Sequence, residues 1–423
     1  MSNLRAIAMS LSKKNKTFKK LARKMMYIYR RTIYVITSIG KKVDDKTVVF
    51  SCFNGKSYCD SPKAIYEYML NEEKYKDFKY IWLFKNKYIE DHAFLNENRN
   101  TLVVSKRKAK HIKYLQVAKY WVFNYKIPDY IKPKKDQIFL QCWHGTPLKR
   151  LGCDLIHYDN KLNSVEDMKK RYKIEAEKFS YFISPSKYCT EKFTSAWNLK
   201  EIGKDNIIIE KGYPRNDFLF NYTESNVKEI KEKILGENIA HKKIILYAPT
   251  YRANQHQSGV GYVYKEEVDF KKMREKLGDE YIILFRPHYF VANAFDFEKY
   301  KGFVYNVSDI DDINELYIIS DILITDYSSV FFDYANLKRP IIFYMYDLEH
   351  YRDESNGFYF SVEEELPGKI VKTDDDLIDE IIRVTKEFKY DEKYKKFNDK
   401  FNYLDDGNAS KRVVEEVIKN EHK

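Results

Sequence analysis

Gln137-Ile-Phe-Leu-Gln-Cys-Trp-His-Gly-Thr-Pro-Leu-Lys-Arg-Leu-Gly152 joins a short apolar run to a polar turn. The run Gln137–Gln141 reads as a buried strand, and Gly145 with Pro147 marks the turn that ends it. At the strand exit stand an imidazole (His144), a flexible backbone (Gly145), a hydroxyl (Thr146) and two cations (Lys149, Arg150). A proton acceptor, close backbone approach and positive charge at one point suit phosphoryl chemistry. The bland alternative is a strand-to-helix turn with a satisfied histidine.

The same pattern recurs outward in both directions. Toward the N-terminus and just beyond, the apolar runs are Thr47–Ser51, Tyr80–Phe84, Thr101–Val104, Tyr120–Phe123, Tyr181–Ser184 and Asn206–Ile209. A second set comprises Lys243–Tyr247, Tyr281–Phe285, Phe303–Tyr305, Ile322–Thr325 and Pro340–Tyr344. Longer stretches of helical period separate the runs. Continuous apolar strands alternating with helices predict parallel sheets covered on both faces, hence an α/β fold. The stretch Asn221–Lys242, rich in Lys, Glu and Asn, divides the two sets. The expected organisation is a basic arm over 1–43, an N-terminal lobe over 44–235 and a C-terminal lobe over 236–423. A cleft is expected between the lobes, with ligands beyond the carboxyl ends of the strands.

Four strand exits carry related chemistry. Ala248-Pro-Thr-Tyr-Arg252 offers the Thr250 hydroxyl and the Arg252 guanidinium, and Arg286-Pro-His288 offers a second cation and a second imidazole on a turn fixed by Pro287. Gly212-Tyr-Pro-Arg-Asn-Asp217 presents Arg215. Thr325-Asp-Tyr-Ser-Ser329 reads as Asp326 capping a helix with Ser328 and Ser329 in its first turn, a site suited to a pyrophosphate. An ordinary capped helix and a rigid surface turn are the bland readings of the last and the second. Neither a Walker-type loop nor a G-x-G-x-x-G pattern follows any strand, which argues against an ATPase or a nicotinamide enzyme. The acidic clusters Asp309, Asp311, Asp312 and Asp374–Asp376 read as solvated caps rather than metal ligands. No metal is demanded, because Arg and Lys can neutralise phosphate charge.

Composition narrows the class further. At 423 residues with 44% apolar content the chain is long enough for two packed cores. Five cysteines without a C-x-x-C pair favour a reducing compartment over a disulfide or zinc framework. The net charge of +12 has one origin: residues 1–43 hold twelve Lys or Arg and no acid, while the rest of the chain balances. Leu21, Met25, Met26, Ile28, Tyr29, Ile33 and Ile36 interleave with those cations. A basic amphipathic helix of this kind suits an anionic membrane surface, with each cation worth ~1 kcal/mol near it. A nucleic-acid partner is disfavoured, because basic groups are not spread over one face of the whole chain.

Taken in order, Trp143-His-Gly-Thr-Pro-Leu-Lys149, Ala248–Arg252, Arg286–His288 and Asp321-Ile-Leu-Ile-Thr-Asp-Tyr-Ser-Ser329 with Asp333 resemble the CDP-glycerol glycerophosphotransferases of teichoic acid synthesis. Asn356-Gly-Phe-Tyr-Phe360 and Leu366-Pro-Gly368 are similar too, so the likeness runs from about residue 47 to the C-terminus. Tyr251 and Lys369 depart from residues common in the family. The resemblance implies a GT-B-like fold of two facing Rossmann-like lobes, and a peripheral enzyme on the cytoplasmic face of the cell membrane. It implies a CDP-glycerol donor, a lipid-linked saccharide or polyol-phosphate acceptor, CMP as leaving group and no cofactor. Donor contacts would fall on His144, Gly145, Thr146, Pro147, Leu148, Arg215, Thr250, Arg286, Pro287, His288, Ser328, Ser329 and Asp333. His144 is the candidate general base, and His288 its partner in catalysis. CDP-ribitol as donor or capsule rather than wall polymer as product, a sugar-nucleotide glycosyltransferase of the same architecture and a non-enzymatic membrane adaptor are the competing readings.

Overall fold

The computed structural model describes residues 16–107, 109–157, 164–236, 241–250, 256–257, 261–262, 267–287, 295–354 and 357–419. Seven strands form the first sheet: β1 Asp44–Ser51, β2 Lys79–Phe84, β3 Thr101–Ser105, β4 Ala118–Phe123, β5 Ile138–Gln141, β6 Tyr181–Ser184 and β7 Ile208–Glu210. Their order is β3-β2-β1-β4-β5-β6-β7 and every pairing is parallel. After β8 Lys243–Ala248 comes an antiparallel pair, β9 His256–Gln257 and β10 Gly261–Tyr262. Then follow β11 Tyr281–Phe285, β12 Val304–Asn306, β13 Ile322–Thr325, β14 Ile341–Tyr344 and β15 Lys369–Val371. The second sheet runs β12-β11-β8-β13-β14-β15, again all parallel.

The apolar runs are continuous because both faces of each sheet are covered. In β1, Val48 and Phe50 enter one core cluster while Val49 enters another; in β4, Tyr120 and Val122 are divided in the same way from Trp121 and Phe123. This is the period of two that a strand imposes on its side chains. A fully buried aromatic such as Trp121 stabilises the fold by ~1.5–3 kcal/mol relative to exposure.

Topology also locates the cleft. Strand order reverses between β1 and β4 in the first sheet and between β8 and β13 in the second, and each reversal opens a crevice at the carboxyl ends. Two differences from the sequence reading stand out. β15 adds an edge strand that three residues, only one of them buried, did not announce. The last helix, Ala409–Lys419, falls in the span expected for the C-terminal lobe (236–423), yet it packs Val413, Val414 and Val417 into the cluster of Val48, Tyr120 and Leu140. Its apolar face joins Ile65, Tyr66 and Met69 of the helix Asp60–Asn71 in covering one side of the first sheet.

The helix Lys16–Ile36 leads into β1. Tyr34 is its buried anchor, and Arg31 donates to the Tyr130 carbonyl at 3.2 Å. Met25, Tyr29 and Ile36 stay 60–63% exposed. No described helix is long and apolar enough to cross a membrane.

Candidate active site

His144 is aimed by the residues around it. β5 ends at Gln141, whose Oε1 accepts the Trp143 N–H at 2.9 Å. Trp143 then takes φ +51, a left-handed conformation that a bulky side chain rarely adopts, and its indole lies 4.2 Å from the His144 ring. His144 Nδ1 donates to the Asn124 carbonyl at 2.9 Å. A carbonyl can only accept, so Nδ1 carries the proton and Nε2 is left as the basic nitrogen. Asn124 is itself locked: its Nδ2 donates to Asp60 Oδ2 at 2.9 Å and its Oδ1 accepts the Phe53 N–H at 2.8 Å. The His144 ring is exposed to the cleft, but protein walls surround that cleft. Loss of bulk water lowers its pKa, the Asn124 carbonyl and Asp60 oppose the shift, and Arg215 adds to it. The imidazole is therefore neutral near pH 7.

The opposite wall comes from the second sheet. Thr250, just beyond β8, donates its N–H to Asp326 Oδ1 at 2.8 Å. Asp326 thus braces the Thr250 turn instead of capping the following helix, as the sequence reading had it. That helix runs Val330–Tyr334, with Ser329 at the cap position and no capping bond from the Ser329 side chain. Arg286, following β11, donates from Nη1 to the carbonyls of Val307 (2.9 Å) and Ile310 (2.7 Å). Burial lowers its pKa from a very high value, and the guanidinium stays charged. The two walls come close at Gly145, where a Cβ would lie 2.5 Å from Ser329 Oγ.

Between the walls is a cavity of about 460 Å³. It is lined by His144, Gly145, Thr146, Pro147 and Leu148 from the first lobe and by Thr250, Arg286, Pro287, Ser328 and Ser329 from the second. Arg252 and His288 lie outside the described residues. Arg215 and Asp333 are not in the lining. They pair with each other, Arg215 Nε and Nη2 donating to Asp333 Oδ2 and Oδ1 at 3.1 and 3.0 Å, and Asp60 Oδ1 stands 3.7 Å from Arg215 Nη1. This buried pair ties the turn Pro214–Asp217 of one lobe to the helix Val330–Tyr334 of the other. Asp311 and Asp312 also join the lobes. Asp311 Oδ2 contacts His92 Nε2 at 2.6 Å. Asp312 caps the helix Ile313–Ile319 as expected but is buried rather than solvated: it accepts the Asn314 N–H at Oδ1 (3.1 Å) and pairs through Oδ2 with Lys63 at 2.7 Å. Among the described residues no group of three or more His, Cys, Asp or Glu side chains is arranged to hold a metal ion.

The family described as CDP-Glycerol:Poly(glycerophosphate) glycerophosphotransferase matches residues 33–419. The chain belongs to this family. It is 42% identical over 406 residues to a teichoic acid poly(glycerol phosphate) polymerase of Bacillus spizizenii, covering 93% of this chain and 99% of that one. A polymerase of the same description from Bacillus subtilis is 39% identical over 414 residues, and the chain spans 97% of itself and 54% of that longer relative. Among solved structures, the wall teichoic acid polymerase TagF, as a histidine-to-asparagine variant with CDPG, superimposes with a TM-score of 0.82 at 36% identity. The match covers 96% of this chain and 99% of that one, in agreement with the GT-B-like architecture of two parallel sheets.

In this glycerophosphotransferase, sequence reading missed the groups that act from behind the cavity. Asn124 and Asp60 orient His144 through a backbone carbonyl and a carboxamide, and nothing in their local sequence signals it. Lys149, a cation at the end of the first motif and part of the cavity lining, has a role between the lobes that its sequence does not show: its Nζ donates to Tyr351 OH at 2.9 Å, and it pairs with Phe358 in a short antiparallel bridge. The residues of that bridge fall within two of the motifs quoted above, which was the available signal.

Proposed function

We propose that this glycerophosphotransferase moves glycerol phosphate from CDP-glycerol to a lipid-linked teichoic acid acceptor, releases CMP and works at the cytoplasmic face of the cell membrane. One observation carries the reading: His144 of the first lobe and Arg286, Ser328 and Ser329 of the second line a single cavity. The acceptor hydroxyl attacks the glycerol-bearing phosphorus in line. The bond from that phosphorus to the bridging oxygen breaks, and CMP leaves with the electron pair. His144 Nε2 takes the hydroxyl proton, a contribution of ~10²–10⁴-fold for a positioned base. Arg286, Thr250, Ser328 and Ser329 supply fixed charge and dipoles to the pyrophosphate as negative charge grows on it. His288 and Arg252, neighbours in sequence of Pro287 and Thr250, are assigned to the same donor. Arg215 and Asp333 serve by holding the cleft together.

The helix Lys16–Ile36 supports the membrane assignment through its exposed Met25, Tyr29 and Ile36 beside Lys24, Arg30 and Arg31. The full chain is expected to sediment with vesicles containing phosphatidylglycerol and to stay in solution with phosphatidylcholine alone. The activity itself is tested by mixing purified protein with a synthetic lipid-linked disaccharide and either CDP-glycerol or UDP-sugars. CMP release from the first is expected. UDP release from the second, without CMP from the first, would overturn the reading in favour of a glycosyltransferase.

A further inference from the structure

Next to His144, but outside the lining of the donor cavity, the ends of β1, β2 and β3 bring together groups that the chemistry above leaves unused. The chain leaving β1 passes through Phe53, Asn54 and Gly55 with φ of +42, +62 and +77. Asn and Gly accept this region, but Phe does so at a cost of ~1–3 kcal/mol. The strain is held by the Phe53 N–H bond to Asn124 Oδ1 and by Lys85 N–H donating to the Gly55 carbonyl at 2.7 Å. A Cβ on Gly55 would lie 2.8 Å from both the Leu83 carbonyl oxygen and Lys106 Cδ, so the turn is clamped between neighbouring strands. What the strain achieves is display: Phe53 is 38% exposed, and its ring meets His144 edge-on at 5.8 Å.

Lys106 stands at the end of β3, beside this turn. Its ammonium donates to Asn54 Oδ1 at 2.6 Å and Tyr125 OH at 2.8 Å, and lies 4.7 Å from the centre of the Tyr125 ring. All these partners are neutral. Burial brings its pKa down to about 7, and the charge of Lys85 pushes the same way. Among the described residues no carboxylate pairs with it. An ammonium held largely out of water beside a second cation lacks its counter-charge, which a bound anion would supply.

We propose that Asn54, Lys85 and Lys106 form the acceptor subsite, taking the phosphodiester next to the attacking hydroxyl, while Phe53 packs on the terminal glyceryl unit and presents its hydroxyl to His144. This rests on the transfer reaction proposed above. The ligand class is an alkyl phosphodiester monoanion. Its place follows from the order donor cavity, His144, Phe53, Lys106.

The test compares wild type with Lys106→Met and Lys106→Arg in the full chain. One acceptor is a soluble oligo(glycerol phosphate), and the other is glycerol, which carries no phosphate. Lys106→Met is expected to raise KM for the oligomer about tenfold or more, as loss of a charged hydrogen bond implies. KM for CDP-glycerol should stay within about twofold, Lys106→Arg should recover most of the loss, and transfer to glycerol should be unaffected. An unchanged oligomer KM, or an equal loss with glycerol, would overturn the subsite. Wild type releasing no CMP from CDP-glycerol would instead overturn the transfer reading on which it rests.

Discussion

A methyl group at position 145 would press on Ser329 Oγ at 2.5 Å and on its Cβ at 3.2 Å, so Gly145 lets loops of the two lobes close on each other. Gly145→Ala is expected to lower kcat/KM for CDP-glycerol about tenfold or more, since small displacements of reacting groups are costly. Its melting temperature should change little, because the cavity can widen. Adding Ser329→Ala removes the nearer clash, and part of the loss should return if contact rather than chemistry is responsible. At this scale the sequence was informative for residues whose own side chains line the cavity. His144, Ser328 and Arg286 stand directly after apolar runs and could be picked out. Asn124 could not, because it acts through its carbonyl oxygen, and only the pairing of β4 beside β5 brings that oxygen to the imidazole.

Between elements, the Arg215–Asp333 pair is the most consequential contact. Asp333→Ala leaves a guanidinium buried with only Asp60 at 3.7 Å, and breaking such a pair costs ~3–5 kcal/mol. Chemical denaturation should register that loss, whereas Arg215→Met with Asp333→Leu should recover much of it. A loss in Asp333→Ala below about 1 kcal/mol would show that the pair does not clamp the lobes. The family resemblance implies that both residues touch the donor, by their positions in the sequence. Their joint burial depends on a turn beside one sheet meeting a helix beside the other, which no local pattern encodes. Strand positions were legible for the converse reason: Tyr281–Phe285 is apolar throughout because both its faces are covered. Lys369–Val371, at an edge, carries too little apolar signal to be noticed.

Across the molecule, the two lobes share a titratable contact. His92 is held by two acceptors, the Tyr88 carbonyl at Nδ1 (2.7 Å) and Asp311 Oδ2 at Nε2. Both can be satisfied only by the doubly protonated ring. Burial alone would lower its pKa, but the Asp311 hydrogen bond, the Tyr88 carbonyl and the charges of Asp311 and Asp91 together raise it. A raised folded-state pKa contributes stability that is complete below the unfolded value of about 6.5 and is lost as pH climbs through the folded value. The difference in melting temperature between wild type and His92→Phe should therefore shrink as pH rises above about 6.5. The difference cancels Asp405 and Glu175, whose carboxyls burial pushes up to about 7. A difference independent of pH would mean that the His92–Asp311 contact is not ionic. The two-lobed plan was legible from the divided strand runs, but the return of Ala409–Lys419 to the first lobe was not. An amphipathic helix declares its apolar face without declaring which sheet receives it.

The most direct measurement is the single-turnover rate of CMP formation with saturating CDP-glycerol and acceptor, in wild type and His144→Gln, across pH 5–9. Wild type should show an acid limb falling below the ordinary histidine pKa, and His144→Gln should lose that limb and ~10²-fold or more in rate while binding CDP-glycerol as before. A variant that turns over within a few-fold of wild type, with the acid limb intact, would contradict the assignment of His144 as the base.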